Sequence, residues 1–293
     1  MTHVINRVVA ACSWRMRRLR FAATHEWLRS PPYVLRHAGF DLLYSPGNAL
    51  ALRFCLTGHY EPEVEEFLAS TLQPRAVVVD VGANIGFFTL AVLAKGEGAV
   101  VHAFEPSPDA FTLLKACIAR NLLADRVIAN QVALYSEPGE MEFQVHAAKH
   151  GAYDGFRDTA YEGVGKPTAT RVPVTTLDLY AKQSGLNRLD LLKVDVEGAE
   201  LFVLRGALEV LSTFRPIVLF EVGYQNLRPF GILPSDLHSF FDGLGYRVAN
   251  LQGRELSEVE FGHACVTEHE FVAVPNAPCA IGAERRTGVG CHG

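Results

Sequence analysis

The sequence predicts an α/β protein built on a doubly wound, mostly parallel sheet of seven strands. Three observations point there: short β-branched apolar runs recur from Arg75 onward, segments of helical period separate them, and one run passes through glycines into a helix. Strands are expected at 76–81, 99–104, 127–133, 189–194, 217–221, 247–251 and 270–274. Helices are expected at 85–95, 108–121, 199–213 and 234–244, and Pro216 and Gly245 suit the ends of the last two. The stretch 140–172 breaks this rhythm. It is polar and rich in glycine, and is read as a long loop, either a binding lid or a disordered excursion.

The chain has 293 residues, 49% hydrophobic and 20% charged, enough for a sizeable core. The expected organisation is a basic helical extension and cap at 1–58, one catalytic-type domain at 59–274 and a disordered tail at 275–293. A formal charge of -5 removes the electrostatic case for nucleic acid as a partner. Cys12, Cys55, Cys117, Cys265, Cys279 and Cys291 form no C-x-x-C pair, so reduced thiols and a cytoplasmic location are expected. Residues 1–31 carry Arg7, Arg15, Arg17, Arg18, Arg20 and Arg29 against Glu26, which interrupts any signal-peptide core. A helix there would pack on the domain, or touch an anionic membrane surface weakly through Trp14, Leu19, Phe21 and Trp27. Oligomeric state is not legible.

The strongest local signal is the run V77-V-V-D-V-G-A-N-I-G-F-F-T-L90. Gly82 and Gly86 permit a sharp turn and close approach of a ligand, while the helix that follows offers unpaired N–H groups. The pattern D-x-G-x-N-x-G departs from the G-x-G-x-x-G that admits a pyrophosphate, because Asp80 ends the strand. A carboxylate there would repel phosphate but suit the ammonium end of a cationic, amino-acid-bearing cofactor such as S-adenosylmethionine. Glu105 follows at the end of the next strand, about 20 residues on, where an acid takes ribose hydroxyls.

These residues resemble the FkbM-type methyltransferases, over about residues 60–274. The likeness runs through G58-H-Y-E-P62, D80-V-G-A-N-I-G86, A103-F-E-P-S-P108, V132-A-L-Y-S136, T176-L-D178, L192-K-V-D-V-E-G-A-E200, L204-R-G206 and P216-I-V-L-F-E221. The resemblance implies a Rossmann-like class I methyltransferase fold, S-adenosylmethionine as cofactor, and O-methylation of hydroxyls on sugars, glycolipids or polyketide-type products. It also implies that Tyr60 and Glu61 approach the cofactor, along with Asp80, Gly82, Asn84, Gly86 and Glu105.

Chemistry is expected from Lys193, Asp195 and Glu197, which alternate at a strand end on the crevice edge of the sheet. Asp195 or Glu197 would deprotonate the acceptor hydroxyl, against the alternative of a Lys–carboxylate network that merely fixes the turn. Glu221 ends the neighbouring strand as an orienting group; paired acids can hold Mg²⁺, but nothing in the spacing demands a metal. His150, in the polar insert, has a pKa suited to a general base, or is a loop histidine in solvent. Around it Tyr153, Phe156 and Tyr161 would stack on an acceptor, with His146, Asp154 and Asp158 at its hydroxyls. Competing functions are a NAD-linked or nucleotide-sugar oxidoreductase on the same fold, or a non-catalytic cofactor-binding module.

Overall fold

The structure, a computed structural model, describes residues 32–45, 48–59, 61–146, 154–157 and 166–276. Tyr60, His150, Tyr153, Asp158, Tyr161, most of the basic N-terminus and the expected tail from 277 lie outside the described residues. Along the chain, β1 (Tyr33–His37) and β2 (Phe40–Tyr44) form a hairpin, followed by α1 (Ala49–Thr57) and α2 (Pro62–Thr71). Then come β3 (Val77–Val81), α3 (Phe87–Lys95), β4 (Val100–Phe104), α4 (Pro108–Arg120) and β5 (Val127–Asn130). A small sheet interrupts with β6 (Ala133–Leu134), β7 (Gly139–Val145) and β8 (Thr168–Thr175), and leads into α5 (Leu177–Ser184). The main sheet resumes with β9 (Leu191–Val194), α6 (Glu200–Arg205), α7 (Leu208–Phe214) and β10 (Ile217–Glu221). It closes with α8 (Tyr224–Leu227), α9 (Pro234–Gly243), β11 (Tyr246–Asn250), α10 (Glu258–Ala264) and β12 (Glu270–Pro275).

The seven-stranded sheet has the order β11-β12-β10-β9-β3-β4-β5. β3, β4, β5, β9 and β10 run parallel, and β12 inserts antiparallel between β10 and β11. This is the Rossmann-like class I methyltransferase architecture. The order reverses beside β3: the chain winds outward to β4 and β5, then returns to β9 on the other flank. Reversal points of this kind open a crevice at the carboxyl ends of the strands.

Alternation along β3 explains how one strand serves two cores. Val78 packs with Ala91, Leu114 and the hairpin residues Leu35 and Leu42, whereas Val79 and Val81 pack with Leu192, Val194, Leu204 and Phe220. Fully buried rings such as Phe104, Phe220, Phe241 and Phe271 each stabilise the fold by about 1.5–3 kcal/mol. The hairpin is fastened to α4 by polar contacts as well: Leu43 N–H donates to Cys117 Sγ at 3.0 Å, and Asn121 Nδ2 donates to Asp41 O at 2.8 Å.

Most expected elements agree with the observed ones to within two residues. Residues 199–213 instead form two helices, because Gly206 packs so closely on Tyr135 that an added Cβ would meet its carbonyl oxygen at 2.0 Å. Where a helical extension is expected before residue 58, Tyr33–Tyr44 is a hairpin that shares the core with α3 and α4. The expected loop at 140–172 contains paired strands: β7 and β8 lie antiparallel in full register from Gly139↔Val174 to Val145↔Thr168. No helix among the described residues is long and apolar enough to cross a membrane.

Candidate active site

At the carboxyl ends of β3, β4, β9 and β10 lies a cavity of about 350 Å³, in the range typical of small-molecule sites. Of the expected site residues, Gly82, Asn84, Glu105, Glu61, Asp195, Glu197 and Glu221 line it. Asp154 and Phe156, from the expected lid, line it as well. Three others lie behind its wall.

Asp80 is the first of these, and its expected direct contact with a ligand is corrected. The side chain is fully buried, Thr89 Oγ1 donates to its Oδ2 at 2.6 Å, and Lys193 Nζ stands 3.9 Å from its Oδ1. The cause is register: Asp80 faces Lys193 directly across the parallel β3–β9 pair, and both point to the α3 side of the sheet. Lys193 Nζ in turn donates to Asp195 Oδ2 at 2.8 Å. Burial opposes its charge, but the Asp195 and Asp80 carboxylates outweigh that and hold its pKa above the ordinary lysine value. Lys193 is therefore a positioning residue that sets Asp195. Gly86 also misses the cavity; it caps α3 with φ 101°, and its Cα faces Leu114 of α4.

The expected alternation of Lys193, Asp195 and Glu197 on one strand stops early, since β9 ends at Val194. Glu197 reaches the cavity through a left-handed turn, φ 54°, followed by Gly198 at φ 101°. Glu200 Oε1 fixes that turn by accepting from Val196 N and Gly198 N at 3.2 and 3.0 Å. Asn226 Nδ2 then donates to Glu197 Oε2 at 2.8 Å. Burial, with Asp195 and Glu200 nearby, pushes the Glu197 carboxyl well above its ordinary pKa. Glu221 is raised for the same reason, burial first and then Asp195 and Glu197. Directly opposite it on β12, Glu270 is pushed up to about 8 by burial and by Glu61.

The glycine turn spends its amides inside the protein. Gly82 N and Ala83 N both donate to Phe104 O, Asn84 N to Glu105 Oε2, Ile85 N to Asn84 Oδ1 and Gly86 N to Ala83 O. Glu105 Oε1 accepts a further bond from Ser107 N, and burial raises this carboxyl to about 8. Among the described residues the ionisable lining is Glu61, Glu105, Asp154, Asp195, Glu197 and Glu221 against the single cation Arg53. A pyrophosphate meets, among the described residues, six acids, one counter-charge in Arg53 and no free amide of the glycine turn. A cationic nucleoside bearing an amino acid does fit: Glu105 is placed for its ribose hydroxyls, the remaining acids for positive charge, and Arg53 for a carboxylate.

Two polar cavity residues among the described residues escaped the sequence reading. Arg53 sits on α1 without any motif, and Asn226 follows β10 at the spacing of a crevice loop, the one signal that would have found it. Among the described residues, no three His, Cys, Asp or Glu side chains are grouped to hold a metal ion.

The raised acids make a pH prediction for the ligand-free protein. Glu200 is held at about 7, and Glu105 and Glu270 at about 8, against an ordinary 4.5, each chiefly by burial. The folded state thus binds these protons more tightly than the unfolded chain. Their stabilising contribution is complete below pH 4.5 and is lost as pH rises toward 7 and 8. Thermal melts between pH 5 and 8.5 should show a midpoint that falls from the acid end and levels off above about 8, and a midpoint that climbs throughout would contradict the burial of these groups.

Comparison with known proteins agrees with the geometry. The 31-O-demethyl-FK506 methyltransferase FkbM of Streptomyces tacrolimicus is 34% identical over 161 residues, covering 46% of this chain and 60% of that protein. The hexuronic acid methyltransferase AglP of Haloferax volcanii is 28% identical over 159 residues, covering 54% of this chain and 61% of its own. The chain thus spans about three fifths of these relatives' length. The crystal structure of methyltransferase FkbM from Methylobacillus flagellatus overlies it with a TM-score of 0.43 at 17% identity, covering 76% of this chain and 52% of that one. The methyltransferase FkbM domain model matches residues 80–248, from the Asp80 of the glycine turn to β11, and with more than half its length so matched the chain belongs to the FkbM methyltransferase family.

Proposed function

We propose that this protein is an S-adenosylmethionine-dependent O-methyltransferase whose acceptor is a hydroxyl on a sugar, a glycolipid or a polyketide-type product. One observation carries the reading: from Gly82 to Gly86 every backbone N–H is already paired, while carboxylates line the cavity the turn faces. That combination favours a cationic ligand over a phosphorylated one. The name of the 31-O-demethyl-FK506 methyltransferase supports an oxygen acceptor, and that of the hexuronic acid methyltransferase a sugar.

When bound, S-adenosylmethionine supplies an electrophilic methyl group on a sulfonium centre. Glu105 would hold the ribose, Asn84 and Gly82 the chain beside it, and Glu61 and Arg53 the amino-acid end. Asp195, already ion-paired with Lys193, takes the proton that the acceptor hydroxyl must lose as its oxygen attacks. Glu197 and Glu221, both inclined to hold their protons, donate hydrogen bonds that orient the acceptor. Lys193 keeps Asp195 in place and Asn226 keeps Glu197.

The test is calorimetric. Glu105→Ala should weaken S-adenosylmethionine binding by about tenfold or more, the loss of charge-assisted bonds worth roughly 1.5–3 kcal/mol. Unchanged affinity in the folded variant would remove Glu105 from the cofactor site.

A further inference from the structure

A second cavity, of about 380 Å³, lies beside the first, and Phe156 lines both. Its walls combine the rings of Tyr135, Phe156 and Phe230 with the polar ends of Glu142, Gln144 and Arg157. Apart from Phe156, none of these six lines the first cavity.

The rings are held firmly. Tyr135 stacks on Phe202 at 4.7 Å with 10° between the planes, and meets Phe156 edge-on at 5.0 Å. Its backbone is pinned by the bond from its N–H to Thr175 O and by the close approach of Gly206. Phe156 is fixed through its neighbour: Gly155 and Gln144 exchange backbone hydrogen bonds at 2.7 and 3.1 Å, tying the segment to β7. Arg157 holds its guanidinium 5.8 Å from the Phe230 ring, and Gln144 Nε2 donates to Glu142 Oε1 at 3.0 Å.

The wall between the two cavities is thin where it matters. A Cβ on Gly155 would lie 3.4 Å from the Cβ of Glu197, so a group seated against Phe156 lies next to the acids that handle the acceptor. Aromatic faces with an amide, a carboxylate and a guanidinium around them match a pyranose, whose C–H faces stack while its equatorial hydroxyls bond at the edge. A purely apolar ring would leave those three polar ends without work.

We propose that the second cavity is a glycosyl subsite, holding the sugar ring adjacent to the one whose hydroxyl is methylated, so that the acceptor is at least a disaccharide or a glycoconjugate. This rests on the methyltransferase reading above, and the experiment separates the two. S-adenosylmethionine calorimetry on the full chain reports on the first cavity alone. Saturation-transfer NMR, with S-adenosylhomocysteine present, then reports on β-linked disaccharides of glucose, N-acetylglucosamine and glucuronic acid beside their methyl monosaccharides. The expected result is that at least one disaccharide is saturated on both rings and binds about tenfold more tightly than its monosaccharide. Arg157→Ala, at an exposed position, and Phe230→Leu, which keeps apolar bulk, should each erase most of that advantage while S-adenosylmethionine affinity and monosaccharide binding stay as they were. A protein that binds S-adenosylmethionine but no disaccharide of the panel overturns the subsite. Disaccharide affinity unmoved by both variants does so too, whereas failure to bind S-adenosylmethionine at all removes the methyltransferase reading itself.

Discussion

Asp195→Asn is expected to lower turnover by about a hundredfold to ten-thousandfold, the usual worth of a positioned general base, while S-adenosylmethionine affinity stays within about threefold of the parent. The substitution keeps the shape and leaves an oxygen for Lys193, whose Nζ lies 2.8 Å from Asp195 Oδ2, but it removes the group that accepts the acceptor's proton. Glu197→Gln makes the complementary test. Gln retains an oxygen for Asn226 and an N–H donor for the acceptor, so it should cost no more than about tenfold if Glu197 works as a protonated donor. Single-turnover rates with saturating cofactor separate the two. Equal losses in both variants would erase the division of labour, and a drop in stability with no change in the rate of the folded fraction would make the whole cluster structural.

Gly82→Ala should be among the most damaging single methyls in the described residues. Gly82 has φ +80°, and a Cβ there would sit 1.8 Å from the backbone oxygen of Asp195, an overlap no rotamer relieves. The carboxyl ends of β3 and β9 would have to separate, carrying Asp195 off its position. We expect a loss of about 3 kcal/mol or more, a fall in melting temperature of roughly 10 °C, and no measurable cofactor binding. Gly253→Ala is the control, because it shares φ +80° but has open space around it, and should cost only about 1 kcal/mol. A Gly82→Ala protein as stable as the Gly253→Ala one would mean that β3 and β9 do not meet as closely as the structure has them.

The central sheet was legible because its strands read as near-continuous apolar runs, Ile217–Phe220 being the plainest. The β7–β8 pair was not. Its outer face carries Glu140, Glu142 and Arg171, so it lacks the apolar density that marks a core strand, and its pairing joins residues as distant as Gly139 and Val174. The hairpin at Tyr33–Tyr44 hid behind a basic stretch whose composition suggested a helix.

In the site, the order of Asp80, Gly82 and Glu105 marked the right crevice, since motif spacing follows backbone geometry. Side-chain direction was harder. That Asp80 turns inward to Thr89 and Lys193 follows from strand register, and that Glu197 reaches the cavity follows from a left-handed turn, neither of which spacing reveals. Arg53 arrives through tertiary packing alone, while Asn226 carries only the weak signal of a loop position after β10.

The central claim is that the crevice beside β3 accepts a cationic methyl donor and rejects a pyrophosphate. Isothermal titration of the full chain with S-adenosylmethionine and, separately, with NAD⁺ tests it most directly. Saturable heat with S-adenosylmethionine, diminished in Glu105→Ala, and none with NAD⁺ is the predicted result. Saturable NAD⁺ binding without S-adenosylmethionine binding would contradict it.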